Sequence, residues 1–81
     1  MEYIIDFKQQ DLIEAFKTLP LPDYFGHNLD ALYDVLTEIN EPTILKIKHF
    51  HKLSISNQEQ LIHFFEDVKE ANNLIYVKYI K

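Results

Sequence analysis

The sequence predicts an α/β domain in which a three-stranded parallel sheet is packed against three main helices, in the order βααβαβ. Three short runs rich in β-branched and aromatic residues alternate with segments of helical periodicity. Strands separated by helices favour parallel pairing through right-handed crossovers. With 81 residues, one glycine and three prolines, the chain has room for one small core and few long loops, so we expect residues 1–81 to form a single domain.

The N-terminal segment predicts a strand followed by a short helix. Tyr3–Phe7 combines isoleucines with aromatic residues, a composition typical of strands. Apolar residues at i, i+1 and i+4 then predict an amphipathic helix over about residues 9–18. Pro20 and Pro22 should end it, because proline disfavours helix at the residue before it.

The second helix has the clearest start signal. We expect Gly26 to supply a turn conformation that other residues avoid, and Asn28 to cap a helix that begins at Leu29. The segment 40–42, which contains a proline, should close this helix. Its predicted buried stripe consists of Leu29, Leu32, Leu36 and Ile39.

The remaining strands flank the third helix. Thr43–Lys48 and Leu74–Ile80 predict the second and third strands. Between Thr43–Lys48 and the helix we expect a connector over residues 49–56, with Phe50 and Leu53 partly buried.

The third helix is predicted over about residues 57–71. Ser56 resembles an N-cap, with Glu59 as its capping-box partner, and Asn72 and Asn73 should break the helix. The residues expected to be buried are Leu61, Ile62, Phe65 and Val68.

The charge is distributed unevenly along the chain. The net formal charge is −5, yet residues 1–41 carry nine acids and two lysines, whereas residues 42–81 carry four acids and six lysines. An acidic surface disfavours binding to a nucleic-acid backbone and favours a basic protein partner. Negative charge that serves only solubility is the competing interpretation.

Compartment and redox state follow from what the chain lacks. It has no cysteine, which suits a reducing cytosol. No signal-peptide pattern and no membrane-length apolar run is present, so we expect a cytoplasmic protein.

The most informative feature is a stripe of carboxylates on the second helix. Asp30, Asp34 and Glu38 are spaced by four residues and therefore share one helical face, with no lysine between Lys17 and Lys46 to relieve their repulsion. Such a face suits a cationic partner. The alternative is a solvated helix face, and for Asp30 the helix dipole alone is a sufficient explanation.

Aromatic residues flank this stripe. Tyr24 and Phe25 precede the helix, and Tyr33 is adjacent to Asp34. Rigid aromatic side chains beside charges are typical of protein-binding surfaces. We expect Phe25 in the core and the two tyrosines to be exposed.

Catalytic and metal sites have little support. Asp30 and Asp34 could act as an acid–base pair, but an outward helix face lacks the apolar pocket that raises a carboxyl pKa. His49 and His51 could bind zinc only with a further ligand, and scattered surface histidines are the simpler interpretation. The chain also lacks a cysteine nucleophile, a nucleophile elbow and a glycine-rich phosphate loop. We expect no enzymatic activity, no cofactor and no bound metal.

The segment LPDYFGHNLDALYD, residues 21–34, resembles the signature of the barstar family of ribonuclease inhibitors, roughly L-P-x-Y-[YF]-G-x-N-L-D-A-L-W-D. The match is close over residues 21–37 and looser over the rest of the chain. It includes the glycine, the helix cap and both aspartates. The family's fold, a parallel three-stranded sheet with helices, is similar to the order deduced above.

The resemblance implies a mechanism in which carboxylates enter a ribonuclease active site where RNA phosphates would bind. Asp34 would be the central anion, and Asp30 would pair with a basic residue at the edge of the site. Tyr24 and Tyr33 would pack on the enzyme, and Asp67 matches a further acidic contact. The partner-binding set is therefore Tyr24, Asn28, Asp30, Tyr33, Asp34, Glu38 and Asp67.

This chain departs from the family pattern at three places. Tyr33 replaces the usual tryptophan, Glu38 and Ile39 replace glycine and tryptophan, and His27 replaces a glutamate.

We therefore expect a monomeric, cytoplasmic inhibitor of a basic barnase-like ribonuclease, possessing toxin-immunity function and binding neither nucleic acid nor membrane. The alternative is a protein-interaction module that keeps the barstar-like fold but binds a partner that is not a nuclease.

Overall fold

The computed structural model describes residues 1–8, 12–22, 26 and 28–80. Three strands and two α-helices make up the regular structure of these residues. The strands are β1 (Glu2–Asp6), β2 (Thr43–Lys48) and β3 (Ile75–Ile80), and the helices are α1 (Leu29–Thr37) and α2 (Ile55–Ala71). Two short 3-10 helices, Glu14–Thr18 and Phe50–Lys52, complete them.

The structure confirms the predicted three-stranded parallel sheet. Its order is β1-β2-β3, and both pairs are parallel. Ile5 is opposite Ile47, and Ile47 is opposite Tyr79, so the three strands end together at one edge. This edge, the carboxyl edge of the sheet, also carries Phe7, whose N–H donates to Lys48 O at 3.1 Å.

A single core lies on one face of this sheet. Alternate strand residues such as Ile5, Leu45 and Ile75 are buried there with helix residues such as Leu36 and Phe65. The opposite face carries Ile4, Tyr76 and Lys78, which are exposed. Parallel sheets usually have both faces covered. Within the described residues, helices cover only one face.

The prediction of three main helices is not confirmed. At the position of the first predicted helix, over residues 9–18, the described residues form the 3-10 helix Glu14–Thr18, and residues 9–11 lie outside the described ranges. This helix still buries Phe16, whose ring lies 6.0 Å from that of Phe7 and 6.2 Å from that of Phe65.

The predictions for α1 are confirmed at its start and in its buried face. Asn28 is the N-cap, Leu29 is the first helical residue, and Leu32 and Leu36 are completely buried. Leu29 and Ile39 are partly buried. The helix ends at Thr37, before the predicted closing segment 40–42.

The predicted N-cap of α2 is wrong. Ser54, not Ser56, caps the helix, and its Oγ accepts from Asn57 N–H at 3.1 Å. The Gln58 side chain also donates to Leu53 O at 2.9 Å, which fixes the chain as it enters the helix. Leu53 is partly buried, as predicted, so packing before the helix sets its start two residues earlier than the Ser56–Glu59 pattern indicates.

One predicted core residue of α2 is also wrong. Ile62 is 39% exposed, whereas Phe64, which was not predicted to be buried, is 8% exposed. Phe64 packs edge-on against Phe65, with ring centroids 5.5 Å apart. The buried stripe of α2 is therefore rotated toward α1, and Ile62 lies on the opposite flank.

Candidate functional site

The start of α1 is held by its cap and by the glycine before it. The Asn28 Oδ1 atom accepts from Ala31 N–H at 2.8 Å, and its Nδ2 atom donates to Gly26 O at 3.2 Å. The prediction that Gly26 needs a special turn conformation is wrong, because its φ angle is not positive. A Cβ atom at this position would instead lie 3.3 Å from Asn28 Nδ2, so a side chain would crowd the cap.

The three carboxylates of the predicted stripe are exposed to solvent. Asp30 lies in the first turn of α1, Asp34 lies in the middle, and Glu38 is the C-cap residue with right-handed helical dihedral angles. We call these three side chains the α1 carboxylates. Within the described ranges, none of them forms a salt bridge, and α1 has no basic residue in its last turn.

The packing of α1 against α2 places Asp67 of α2 beside Tyr33 of α1. A cleft of about 360 Å³ between the helices is lined by Tyr33 of α1 and by Asp67, Glu70 and Ala71 of α2. We call it the interhelical cleft. Tyr33 is not exposed as predicted: it is partly buried against the core, so its ring has a fixed backing. The structure thus places two predicted site residues, Tyr33 and Asp67, in one cleft.

Glu70 lines the same cleft and is not among the residues that the sequence analysis selected. It lines the interhelical cleft three residues after Asp67, and residues at that spacing share one side of a helix. The signal was therefore present in the sequence once Asp67 had been chosen. With Glu70, the cleft presents two carboxylates beside an aromatic ring, which is an arrangement that attracts a cationic side chain.

Glu38 lies away from this cleft. It lines a separate depression of about 290 Å³ with Pro20, Pro22, Val35 and Ile39. The α1 carboxylates therefore extend from the region beside Tyr33 toward the proline-containing segment that precedes the helix. They do not converge on one point, as ligands of a metal ion would.

Asn72 positions the two helices, a role that the sequence analysis did not predict. Its side chain is buried, with 7% exposure, and its Nδ2 atom lies 3.1 Å from Leu36 O and 2.8 Å from Ile39 O. Its Oδ1 atom accepts from Leu74 N–H at 3.1 Å. Asn72 thus satisfies carbonyl groups at the end of α1 from the end of α2, and so holds Tyr33 near Asp67.

The other predicted residues have different outcomes. Tyr24, Phe25 and His27 lie outside the described residues. The Nδ1 atom of His49 is bonded to Asp6 Oδ1 at 2.8 Å. In the part of the chain that the structure describes, no three histidine, aspartate or glutamate side chains are grouped closely enough to hold a metal ion. No described helix has the length and apolar character needed to cross a membrane.

The chemistry available at this surface is electrostatic. Exposed carboxylates without cationic neighbours attract positive charge from a distance, and they form strong charge-assisted hydrogen bonds with lysine or arginine once water is removed. The surface offers an aromatic wall at Tyr33 and a ridge of acids along α1. It is suited to contact a cationic surface of another macromolecule.

Comparison with protein families gives a match over most of the chain. The model of one family, described as Barstar (barnase inhibitor), matches residues 6–78. The match includes β2, both α-helices, the acidic surface and most of β3, and it begins at the last residue of β1. It extends well beyond the segment 21–37. The chain belongs to the barstar family.

Proposed function

We propose that this protein inhibits a basic, barnase-like ribonuclease by covering its active site with the α1 carboxylates. Asp34 enters the site where an RNA phosphate binds, and Asp30 pairs with a basic residue at its edge. Tyr33, Asp67 and the Glu70 side chain beside them receive a cationic side chain at the rim. Tyr24 and Glu38 extend the contact, and Asn28 fixes the start of the helix.

The observation that carries the proposal is the exposure of unpaired carboxylates along a helix that is otherwise well anchored. The helix is capped by Asn28 and held at its end by Asn72, so the carboxylates do not have to be ordered on binding. A ribonuclease active site must be cationic because its substrate is a polyanion. An acidic surface is steered toward such a site and competes with the substrate for it.

On this proposal the protein is a monomer without catalytic activity that acts in the cytoplasm, where it protects cellular RNA from a toxic or secreted nuclease. Membership of a family described by barnase inhibition supports a ribonuclease as the partner. The absence of cysteine is compatible with a reducing compartment.

The test is to follow RNA cleavage by a panel of purified barnase-like ribonucleases as the protein is added. We expect stoichiometric loss of cleavage with at least one enzyme. No inhibition across the panel at concentrations of about 1 μM, far above the dissociation constants of tight protein inhibitors, would contradict the proposal.

A second candidate function follows from the departures at the end of α1. Glu38 and Ile39, which depart from the glycine and tryptophan of the family pattern described above, border the depression next to Pro20 and Pro22. A surface changed in this way suits a partner other than a nuclease, such as a regulatory protein. Affinity capture that recovers a partner without ribonuclease activity, together with failure of the inhibition test, would favour this candidate.

A further inference from the structure

A second concave region lies on the other flank of α2, far from the α1 carboxylates. It is a cavity of about 600 Å³ at the carboxyl edge of the sheet. Its walls are Phe50 of the second 3-10 helix, Ile62 and Phe65 of α2, and Val77 and Tyr79 of β3. We call it the apolar pocket. Successive residues of a helix are 100° apart, so Ile62 lies on the flank of α2 opposite Asp67.

The size of the apolar pocket is that of a small-molecule site. Ligand pockets usually have volumes of about 300–1,000 Å³ and apolar walls with a few polar groups. The apolar pocket lies beside the end of β3, and its volume of about 600 Å³ is within this range.

The walls favour an aromatic ligand. The rings of Phe50 and Tyr79 meet edge-to-face with centroids 5.0 Å apart. Ile62 adds an exposed apolar side chain to the wall. A ring that enters the pocket can pack against both aromatic side chains. The Tyr79 phenol is neutral at physiological pH and can donate a hydrogen bond, and burial together with the Glu66 carboxylate raises its pKa further above the usual value.

The rim of the pocket carries opposite charges one helical turn apart. Glu66 and Lys69 both line it. Within the described residues Lys69 has no ion-pair partner, and the only one of Glu66 is the exposed ring of His63, 4.0 Å away. Neither charge is used by the proposed inhibitory surface. An amino group and a carboxylate on one ligand would complement this pair of charges.

We propose that the apolar pocket binds a small aromatic zwitterion, such as an aromatic amino acid, with its ring against Phe50 and Tyr79 and its ammonium and carboxylate groups beside Glu66 and Lys69. The site is independent of the ribonuclease-binding surface because it lies on the opposite flank of α2. Its failure and that of the proposed inhibition are therefore separate results.

The test uses the absence of tryptophan from the chain, which makes indole fluorescence a selective signal from the ligand. L-Tryptophan is titrated against the protein, with tryptamine, which lacks the carboxylate, and indole-3-propionate, which lacks the ammonium group. We expect saturable one-to-one binding of L-tryptophan, with a dissociation constant of about 0.1–1 mM for a ligand of this size, and weaker binding of both analogues.

Charge variants show whether the rim acts as proposed. Lys69→Gln should weaken L-tryptophan and indole-3-propionate about two- to fivefold and leave tryptamine unchanged, and Glu66→Gln should weaken L-tryptophan and tryptamine only. Asp67→Asn, on the other flank, is the matched control and should change nothing. Non-saturating titrations, equal binding of all three compounds, or an equal loss in the control variant would overturn the proposal.

Discussion

Two groups of acids in this protein, one on the sheet and one on α1, differ in their partners. On the sheet, Glu2 lies 3.3 Å from Lys46, and Asp6 lies 2.8 Å from His49. On α1, by contrast, Asp30, Asp34 and Glu38 have no cationic partner among the described residues. A lysine or a histidine therefore lies beside each of these acids of the sheet. From residue 18 to residue 45, a range that includes α1, the chain has no lysine.

This difference concerns how the charge of each group is neutralised. The paired acids of the sheet contribute to the fold, and their charge is neutralised by the chain itself. The α1 carboxylates contribute repulsion within their own helix. On the proposed function, a cationic partner outside the chain neutralises their charge, and the following predictions test that distinction.

The largest effect is expected at Asp34. Asp34→Ala should weaken binding to a sensitive ribonuclease by about 2 kcal/mol or more, which is roughly 30-fold. This is the magnitude of an interface hot spot, and measurements on the barnase–barstar pair itself helped to establish it. The reason is that an enzyme cation would lose its partner in a desolvated contact. Titration calorimetry provides the measurement.

Glu59→Ala is the matched control for Asp34→Ala. It removes the same charge from an exposed position on α2, away from the interhelical cleft. Its effect should be within about 0.5 kcal/mol. Equal losses for the two variants would show that general charge, not the α1 surface, drives binding.

The next largest effect concerns the anchor between the helices. Asn72→Ala removes the amide that lies within hydrogen-bonding distance of Leu36 O and Ile39 O. Leu36 O keeps its bond from Ile39 N–H, but the partly buried Ile39 O loses its amide donor, so the free energy of unfolding should fall by about 1–3 kcal/mol. Urea unfolding measures this change.

The neighbouring exposed residue provides the comparison for Asn72. Asn73→Ala should change the free energy of unfolding by less than about 0.5 kcal/mol. If the two variants were equally stable, the contact of Asn72 with α1 would have no energetic role, and the geometry of the interhelical cleft would need another explanation.

A smaller effect is expected at the start of α1. Asn28→Ala should lower the free energy of unfolding by about 1 kcal/mol, because Ala31 N–H loses its acceptor. Asn28→Ser should recover most of this loss, since serine also caps helices. Thermal unfolding by circular dichroism compares the three proteins. A serine variant as unstable as the alanine variant would show that the contact with Gly26 O, rather than the cap, is what matters.

The smallest effect is expected at a paired acid of the sheet. Lys8 N–H, which donates to Asp6 Oδ1 at 2.9 Å, and the His49 ring, bonded to the same oxygen, hold the pKa of Asp6 below its usual value of 3.8. The folded state thus favours the ionised form. The resulting stabilisation is present above pH 3.8 and is lost as the pH falls through the lowered folded-state pKa.

Asp6→Asn should therefore be slightly less stable than the parent protein at pH about 6, and the difference should shrink at pH about 3. Glu41→Gln, which changes an exposed acid outside the described salt bridges, is the control and should show no such trend. A difference for Asp6→Asn that grows toward low pH would show that the sign assigned to this pair is wrong.

Local signals predicted the strands and the start of α1. β-Branched composition located Thr43–Lys48 to the residue, and Asn28 was recognised as a cap because its side chain acts within three residues. The first helix was predicted as a main helix, but the described residues form a short 3-10 helix that ends before Pro20. Apolar residues at i, i+1 and i+4 do not distinguish these two kinds of helix.

Long-range contacts could not be predicted in the same way. Asn72 looks like an ordinary helix breaker in the sequence, and its bonds to α1 span 33 and 36 residues. Ser54 rather than Ser56 is the N-cap of α2, because the packing of Leu53 and the hydrogen bond from the Gln58 side chain fix where the helix starts. The nearness of Tyr33 to Asp67 depends on how two helices pack, so the sequence suggested it only through family resemblance.

Competition between the protein and a nucleotide for the active site of a sensitive ribonuclease tests the central claim most directly. A mononucleotide that binds the active site is added to the enzyme at increasing concentrations. The affinity of the protein for the enzyme is measured at each concentration. If the α1 carboxylates occupy the phosphate site, the apparent affinity will fall in proportion to the fraction of enzyme that is occupied. An affinity independent of the nucleotide, with a complex of all three components, would contradict the account.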